Sequence, residues 1–185
     1  MREMLIREAR EADLPAILAV YRSAGLERGR GLSLDTALRV FRRMKGYPDY
    51  RVFVAVLDGA VVGTFALLIM ENLANGGLPS AVVEDVAVAA DRQGQGIGGR
   101  MMAFALERCR RRGCYKMALS SNEKRTATHR FYESLGFARH GFSFRVEPNP
   151  CPRLPGVSGP RPRRRRSGAP SRYRRTPGPR PRSAR

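Results

Sequence analysis

At 185 residues and 42% hydrophobic content the chain can close one domain around a substantial core. Its formal charge of +19 suggests nucleic acid, but residues 151–185 hold twelve arginines and no acid, leaving only +7 for the first 150 residues. Cys109, Cys114 and Cys151 form neither a metal-ligand spacing nor a disulfide framework, MREMLIREARE lacks the apolar core of a targeting peptide, and no 18-residue apolar stretch occurs; a soluble, cytoplasmic protein is expected.

Met4–Arg7 reads as a short strand. Asp13 is placed to cap a helix whose first turn holds Leu14 and Pro15 and whose apolar stripe is Ile17, Leu18, Tyr21 and Ala24. Gly25–Gly31 is a loop carrying Arg28 and Arg30, cations that would attract an anionic substrate. Ser33 caps a second helix, with Leu34, Leu38, Phe41 and Met44 as its stripe, and Gly46-Tyr47-Pro48 ends it. Arg51–Leu57 alternates as a strand, Asp58-Gly59 signals a tight hairpin, and Ala60–Met70 returns. Asn72–Pro79, with Gly76-Gly77, is a flexible connection.

The chain is organised around Glu84–Arg100, EDVAVAADRQGQGIGGR. Val82, Val83, Val86 and Val88 give a strand apolar on both faces. After Ala90-Asp91 come four glycines in six residues, Gly94, Gly96, Gly98 and Gly99, and a helix Ile97–Arg112 stopped by Gly113. Strand, glycine loop and helix N-terminus together hold phosphate: the backbone can approach closely, and the first-turn N–H groups point outward with the positive end of the helix dipole. No Lys-Ser or Lys-Thr follows these glycines, so a Walker loop is excluded. G-x-G-x-x-G is present at Gly94, Gly96 and Gly99, yet about half the chain precedes it, whereas a dinucleotide site opens its fold.

The remaining pattern, Gln/Arg-x-x-Gly-x-Gly/Ala at Gln93, Gly96 and Gly98, resembles the acetyl-CoA pyrophosphate loop of GNAT acetyltransferases. Downstream, Cys114–Leu119 is a strand that must run parallel to the valine-rich one, because a helix joins them. Thr126–Leu135 is a short helix stopped at Gly136, and Phe137–Val146 gives the final strands. The predicted fold is α/β (α+β), one domain with a mixed, mostly antiparallel sheet and helices on both faces. FYESLGF, Phe131–Phe137, is similar to the GNAT segment in which a tyrosine lies near the CoA sulfur. EDVAV, RQGQGIG, GCYK and FYESLGF together look like glucosamine-6-phosphate N-acetyltransferases, and are shared with many small bacterial members of the family of unassigned substrate. The resemblance spans residues 4–146, giving an acetyltransferase domain 1–147 and a tail 148–185.

The resemblance implies acetyl-CoA as co-substrate, no metal, and a primary amine acceptor that attacks directly in a ternary complex. Cofactor contacts would come from Val86, Ala87 and Val88 and from Gln93, Gly94, Gln95, Gly96, Ile97, Gly98 and Gly99. The family often has Asn seven residues before the tyrosine; that position is Arg125 here, and Asn122 is the candidate in its place. A homodimer is among the assemblies open to such a fold.

Acetyl transfer from a thioester needs a base for the amine, a donor for the oxyanion and a proton for the thiolate. Tyr132 is the candidate for the last; its other reading is a ring packed in the core. Glu84 is the candidate base, its pKa lifted by partial burial; its other reading is a structural carboxylate paired with an arginine. Strand alternation puts Asp85 on the opposite face from Glu84, so both would not serve one site. The oxyanion donor would be a backbone N–H among Val86–Val88, at a bulge the family carries. Cys109 and Cys114 read as buried thiols, and His129 and His140 as surface or helix-face residues. The tail holds ten of thirteen prolines and the run Arg163–Arg166, and reads as disordered. It is either an arm for RNA or a membrane surface or a dispensable extension. The competing functions are a non-catalytic acyl-CoA-binding module and a basic nucleic-acid-binding protein.

Overall fold

The computed structural model describes residues 4–27, 31–141, 143 and 144. β1 (Met4–Glu8) leads through a short 3-10 turn into α1 (Leu14–Ser23), followed by α2 (Leu34–Lys45). The hairpin β2 (Tyr50–Leu57) and β3 (Ala60–Met70) precedes β4 (Ser80–Val88), α3 (Ile97–Arg111), β5 (Lys116–Ala118) and α4 (Thr126–Ser134). The sheet order is β1-β2-β3-β4-β5; every neighbouring pair is antiparallel except β4 and β5, which run parallel as the connecting helix requires.

Local chemistry accounts for the joints. Asp58 and Gly59 have φ of 51° and 79°, the left-handed pair a two-residue hairpin turn demands. Ser33 caps α2 by accepting from Thr36 N at 3.3 Å. Asp13 precedes α1 as expected, but its carboxylate does not cap that helix. It accepts from Arg10 N at 2.7 Å and from both terminal nitrogens of Arg7 at 2.7 and 2.8 Å. A guanidinium within reach outcompetes a neutral helical N–H, because a charge-assisted pair is roughly twice as strong.

α1 and α2 cover one face of the sheet, where Leu14, Ile17 and Phe41 pack on Val52, Val54 and Ala66. α3 covers the other, burying Ile97, Met101, Met102, Ala105 and Cys109 on Phe53, Phe65, Leu67 and Val83. Phe53 stacks on Phe65 at 5.2 Å and meets Phe104 edge-on at 5.3 Å. Gly63 sets the approach of α3: a Cβ there would stand 2.7 Å from Met101 Sδ and 3.2 Å from the Ala87 carbonyl. The final strands expected over Phe137–Val146 do not form in the described part; residues 137–141, 143 and 144 are without strand pairing, and 145–146 lie outside the described residues. Arg28, Arg30, Cys151 and the tail also lie outside them. Among the described residues no helix is long and apolar enough to cross a membrane.

Candidate active site

β4 and β5 pair over three residues only, Ser80–Val82 against Lys116–Ala118. Beyond that point β4 runs on to Val88 while the other chain turns away through Leu119 toward α4. A cavity of about 490 Å³ opens in the gap, walled by β4 on one side and by the segment from Leu119 to Tyr132 on the other. On its far edge β4 stays paired with β3, Thr64 opposite Ala87 and Gly63 opposite Val88.

That pairing is interrupted by a bulge. Ala66 faces Glu84 and Thr64 faces Ala87, so Asp85 and Val86 together oppose Phe65 alone. Asp85 takes the strain at φ 53°, a left-handed conformation costing a non-glycine residue about 1–2 kcal/mol. The bulge cancels the alternation argument: an extra residue resets the pleat, and Glu84 and Asp85 both line the cavity. Both residues are exposed at the cavity wall. Burial lifts Glu84 above the usual carboxylate range, and the charge of Asp85 adds to it. Burial alone lifts Asp85. Beside the pair, burial and then Asp85 push the phenols of Tyr21 and Tyr50 up.

Tyr132 sits where the core meets the cavity. Its ring packs against Phe131 at 5.1 Å and Phe137 at 5.5 Å on the α3 side of the core, and the residue also lines the cavity. Burial raises its pKa, partly offset by nearby Arg125. Asn122 Oδ1 accepts from Lys124 N at 2.9 Å, and the Asn122 carbonyl accepts from Arg125 N at 2.9 Å. His129 Nε2 lies 2.9 Å from the same carbonyl, so His129 braces this turn. Lys124 and Arg125 join the same cavity wall, a placement the sequence did not mark.

The glycine loop lies where β4 hands over to α3. Gly94 and Gly96 have φ of 74° and 76°, Gly96 is the residue before the helix, and no side chain caps its first turn. A Cβ at either glycine would enter open space. Gly98 has a different task, since a Cβ there would stand 3.0 Å from Phe131 Cζ. Gln93 donates to the Val88 carbonyl at 3.2 Å and Gln95 to the Asp91 carbonyl at 3.3 Å, so both amides brace the loop. Thus Glu84, Val86, Asn122 and Tyr132 share one cavity, Ala87 and Val88 extend β4 from it, and Gln93 to Gly99 form the loop at the start of α3.

The thiols stand apart from this site. Burial and the neighbouring Cys114 push the Cys109 thiol up to about 12, which suits a buried thiol rather than a nucleophile. Among the described residues no cluster of His, Cys, Asp or Glu could hold a metal ion.

Residues 9–137 match the family described as Acetyltransferase (GNAT) family. Glucosamine 6-phosphate N-acetyltransferase of Trypanosoma brucei brucei is 35% identical over 97 residues, 52% of this chain and 64% of that protein. Aminoalkylphosphonate N-acetyltransferase of Salmonella typhimurium is 31% identical over 97 residues, 52% of this chain and 62% of that protein. The chain therefore spans just under two thirds of the length of these two relatives. A solved structure from Agrobacterium tumefaciens str. C58 superposes with a TM-score of 0.73 at 33% identity, covering 77% of this chain and 99% of that one. With the family pattern extending from the start of α1 to the end of α4, the chain belongs to the GNAT acetyltransferase family.

Proposed function

We propose that this chain is an acetyl-CoA-dependent N-acetyltransferase whose acceptor, a primary amine, attacks the thioester directly in the gap between β4 and β5. The observation that carries the reading is the early parting of these two strands beside an uncapped helix N-terminus. It leaves an unladdered strand edge for an extended pantetheine arm, and open glycine backbone for the diphosphate at its end.

The residues divide the chemistry. Glu84, with its carboxylate lifted toward neutrality, takes a proton from the acceptor ammonium, directly or through one water. The neutral nitrogen then forms the C–N bond as the carbonyl π pair moves to oxygen, and N–H groups of Val86–Val88 face that oxyanion. The C–S bond breaks when the oxyanion collapses, the sulfur leaves with the electron pair, and the nitrogen loses its second proton to solvent. Tyr132 meets the sulfur. Burial raises its phenol above the ordinary tyrosine value, whereas a thiol is the stronger acid, so full proton transfer to the thiolate would run uphill. The Tyr132 hydroxyl therefore acts as a hydrogen-bond donor that steadies the thiolate until solvent protonates it.

The proposed domain ends near Glu147, with the arginine-rich tail outside the catalytic unit. Glu84 and Tyr132 in one cavity favour turnover over mere binding of acyl-CoA. Incubating the protein with acetyl-CoA and a panel of primary amines, while following free thiol, tests the reading. Amine-dependent thiol release is expected; tight CoA binding with no release for any amine would leave a binding module.

A further inference from the structure

We infer that the acceptor is a zwitterion, its ammonium held by Asp85 beside Glu84 and its anionic end by Arg125 and Lys124. This rests on the acetyltransferase reading above and names the kind of amine that the cleft takes.

The first observation is a pair of carboxylates without a counter-ion. In a chain with 35 basic and 16 acidic side chains, structural carboxylates find guanidinium partners readily. Asp13 lies 2.7 Å from Arg7, Glu11 2.9 Å from Arg42, and Asp49 2.6 Å from Arg112. Among the described residues Glu84 and Asp85 have no such partner, although they are adjacent, line one cavity and are held there by a strained bulge. Among the described residues no arginine pairs with Glu84 as a structural carboxylate would require. Two neighbouring carboxylates, both partly desolvated, are a standing electrostatic cost that a bound cation relieves. One carboxylate suffices to act as base; the second holds the ammonium while the first takes its proton.

The second observation lies across the cavity. Lys124 and Arg125 stand on the wall opposite β4, and their side chains have no ion-pair partner among the described residues. A neutral amine would leave them unused and an inorganic anion would leave the carboxylates unused. A small molecule with an ammonium at one end and a phosphate, phosphonate or carboxylate at the other satisfies both walls, and a cavity of about 490 Å³ admits it beside the thioester.

The test uses the full chain and matched amines that differ only in their anion: glucosamine 6-phosphate against glucosamine, phosphoethanolamine against ethanolamine, and an amino acid against its amide. At least one anionic member should be acetylated with kcat/KM at least about 10-fold above its neutral partner. The Lys124→Gln/Arg125→Gln variant should abolish that preference with the acetyl-CoA KM unchanged. Asp85→Asn should raise the acceptor KM about 10- to 100-fold for both members of a pair. Equal use of both members, or a double variant that raises only the acetyl-CoA KM, overturns the inference while acetyl transfer stands. If no amine is turned over, calorimetry on the CoA complex decides. Anion-dependent binding lost in the same variants supports the inference with the acetyl-transfer reading gone, and binding that ignores the anion, or none, overturns both.

Discussion

Gly98 makes room for Phe131: with a Cβ at 98, the nearest ring carbon would stand 3.0 Å away, closer than the 3.5–4.0 Å of ordinary carbon contact. This contact fixes how closely α3 and α4 pack, and α4 carries Tyr132 into the cleft. The glycines of one loop therefore divide between ligand access and helix packing. Gly98→Ala should overpack the joint and cost about 1–3 kcal/mol, read as a lower Tm. Gly99→Ala, whose Cβ would meet only Leu135 at 3.7 Å, should be neutral or slightly stabilising. Gly96→Ala should chiefly raise the acetyl-CoA KM, with a modest Tm loss from its φ of 76°.

Tyr132→Phe keeps the ring between Phe131 and Phe137 and removes only the hydroxyl. The Tm should hold, while kcat falls roughly 10²-fold, the scale of losing one donor at a developing anion. A rate within a few-fold of wild type would return Tyr132 to a purely packing role.

Glu84 must be ionised to accept a proton, and its pKa is raised by burial and by Asp85. The kcat profile should therefore lose activity as pH falls through a limb above the ordinary carboxylate value of 4.5. Asp85→Asn removes the neighbouring charge and should move that limb to lower pH. Glu84→Gln should erase the limb and slow kcat at least ~10²-fold.

Much of the fold was legible because it rests on local rules: the Asp58-Gly59 turn, the Ser33 cap and the parallel β4–β5 pair each follow from a few residues. What stayed hidden is what one side chain cannot announce. The bulge at Asp85 needs a positive φ that a glycine would have advertised, and an aspartate does not. Period-two alternation then assigned Asp85 to the wrong face. Arg7 took the Asp13 carboxylate from the helix through a contact between separate elements. Phe131 is far from Gly98 in the sequence, so the loop showed four glycines without showing which one serves packing.

Arg7 and Asp13 set a stability prediction. The Arg7 guanidinium holds the Asp13 carboxyl below its usual value near 3.8, helped by the Arg10 amide. A folded pKa below the unfolded one gives stability that is complete above pH 4 and fades as pH falls through the folded value. Asp13→Asn should cost about 1–3 kcal/mol at neutral pH in denaturant titrations and flatten the acid limb of stability. A stability curve unchanged below pH 4 would show that the pair contributes little.

The tail gives a prediction from composition. A chain ending at Glu147 loses twelve arginines and no acid from 151–185. It should keep the wild-type acetylation rate and Tm while shedding any salt-sensitive affinity for RNA. Loss of acetyl transfer from a folded truncated protein would place the tail in the active site.

Direct attack within one ternary complex is the centre of the account, and initial-rate kinetics test it most directly. With a competent amine varied at several fixed acetyl-CoA concentrations, reciprocal plots should intersect, and acetyl-CoA alone should leave no acetyl group on the protein. Parallel lines, with an acetylated side chain trapped in the absence of amine, would mean a covalent relay and contradict the roles given to Glu84 and Tyr132.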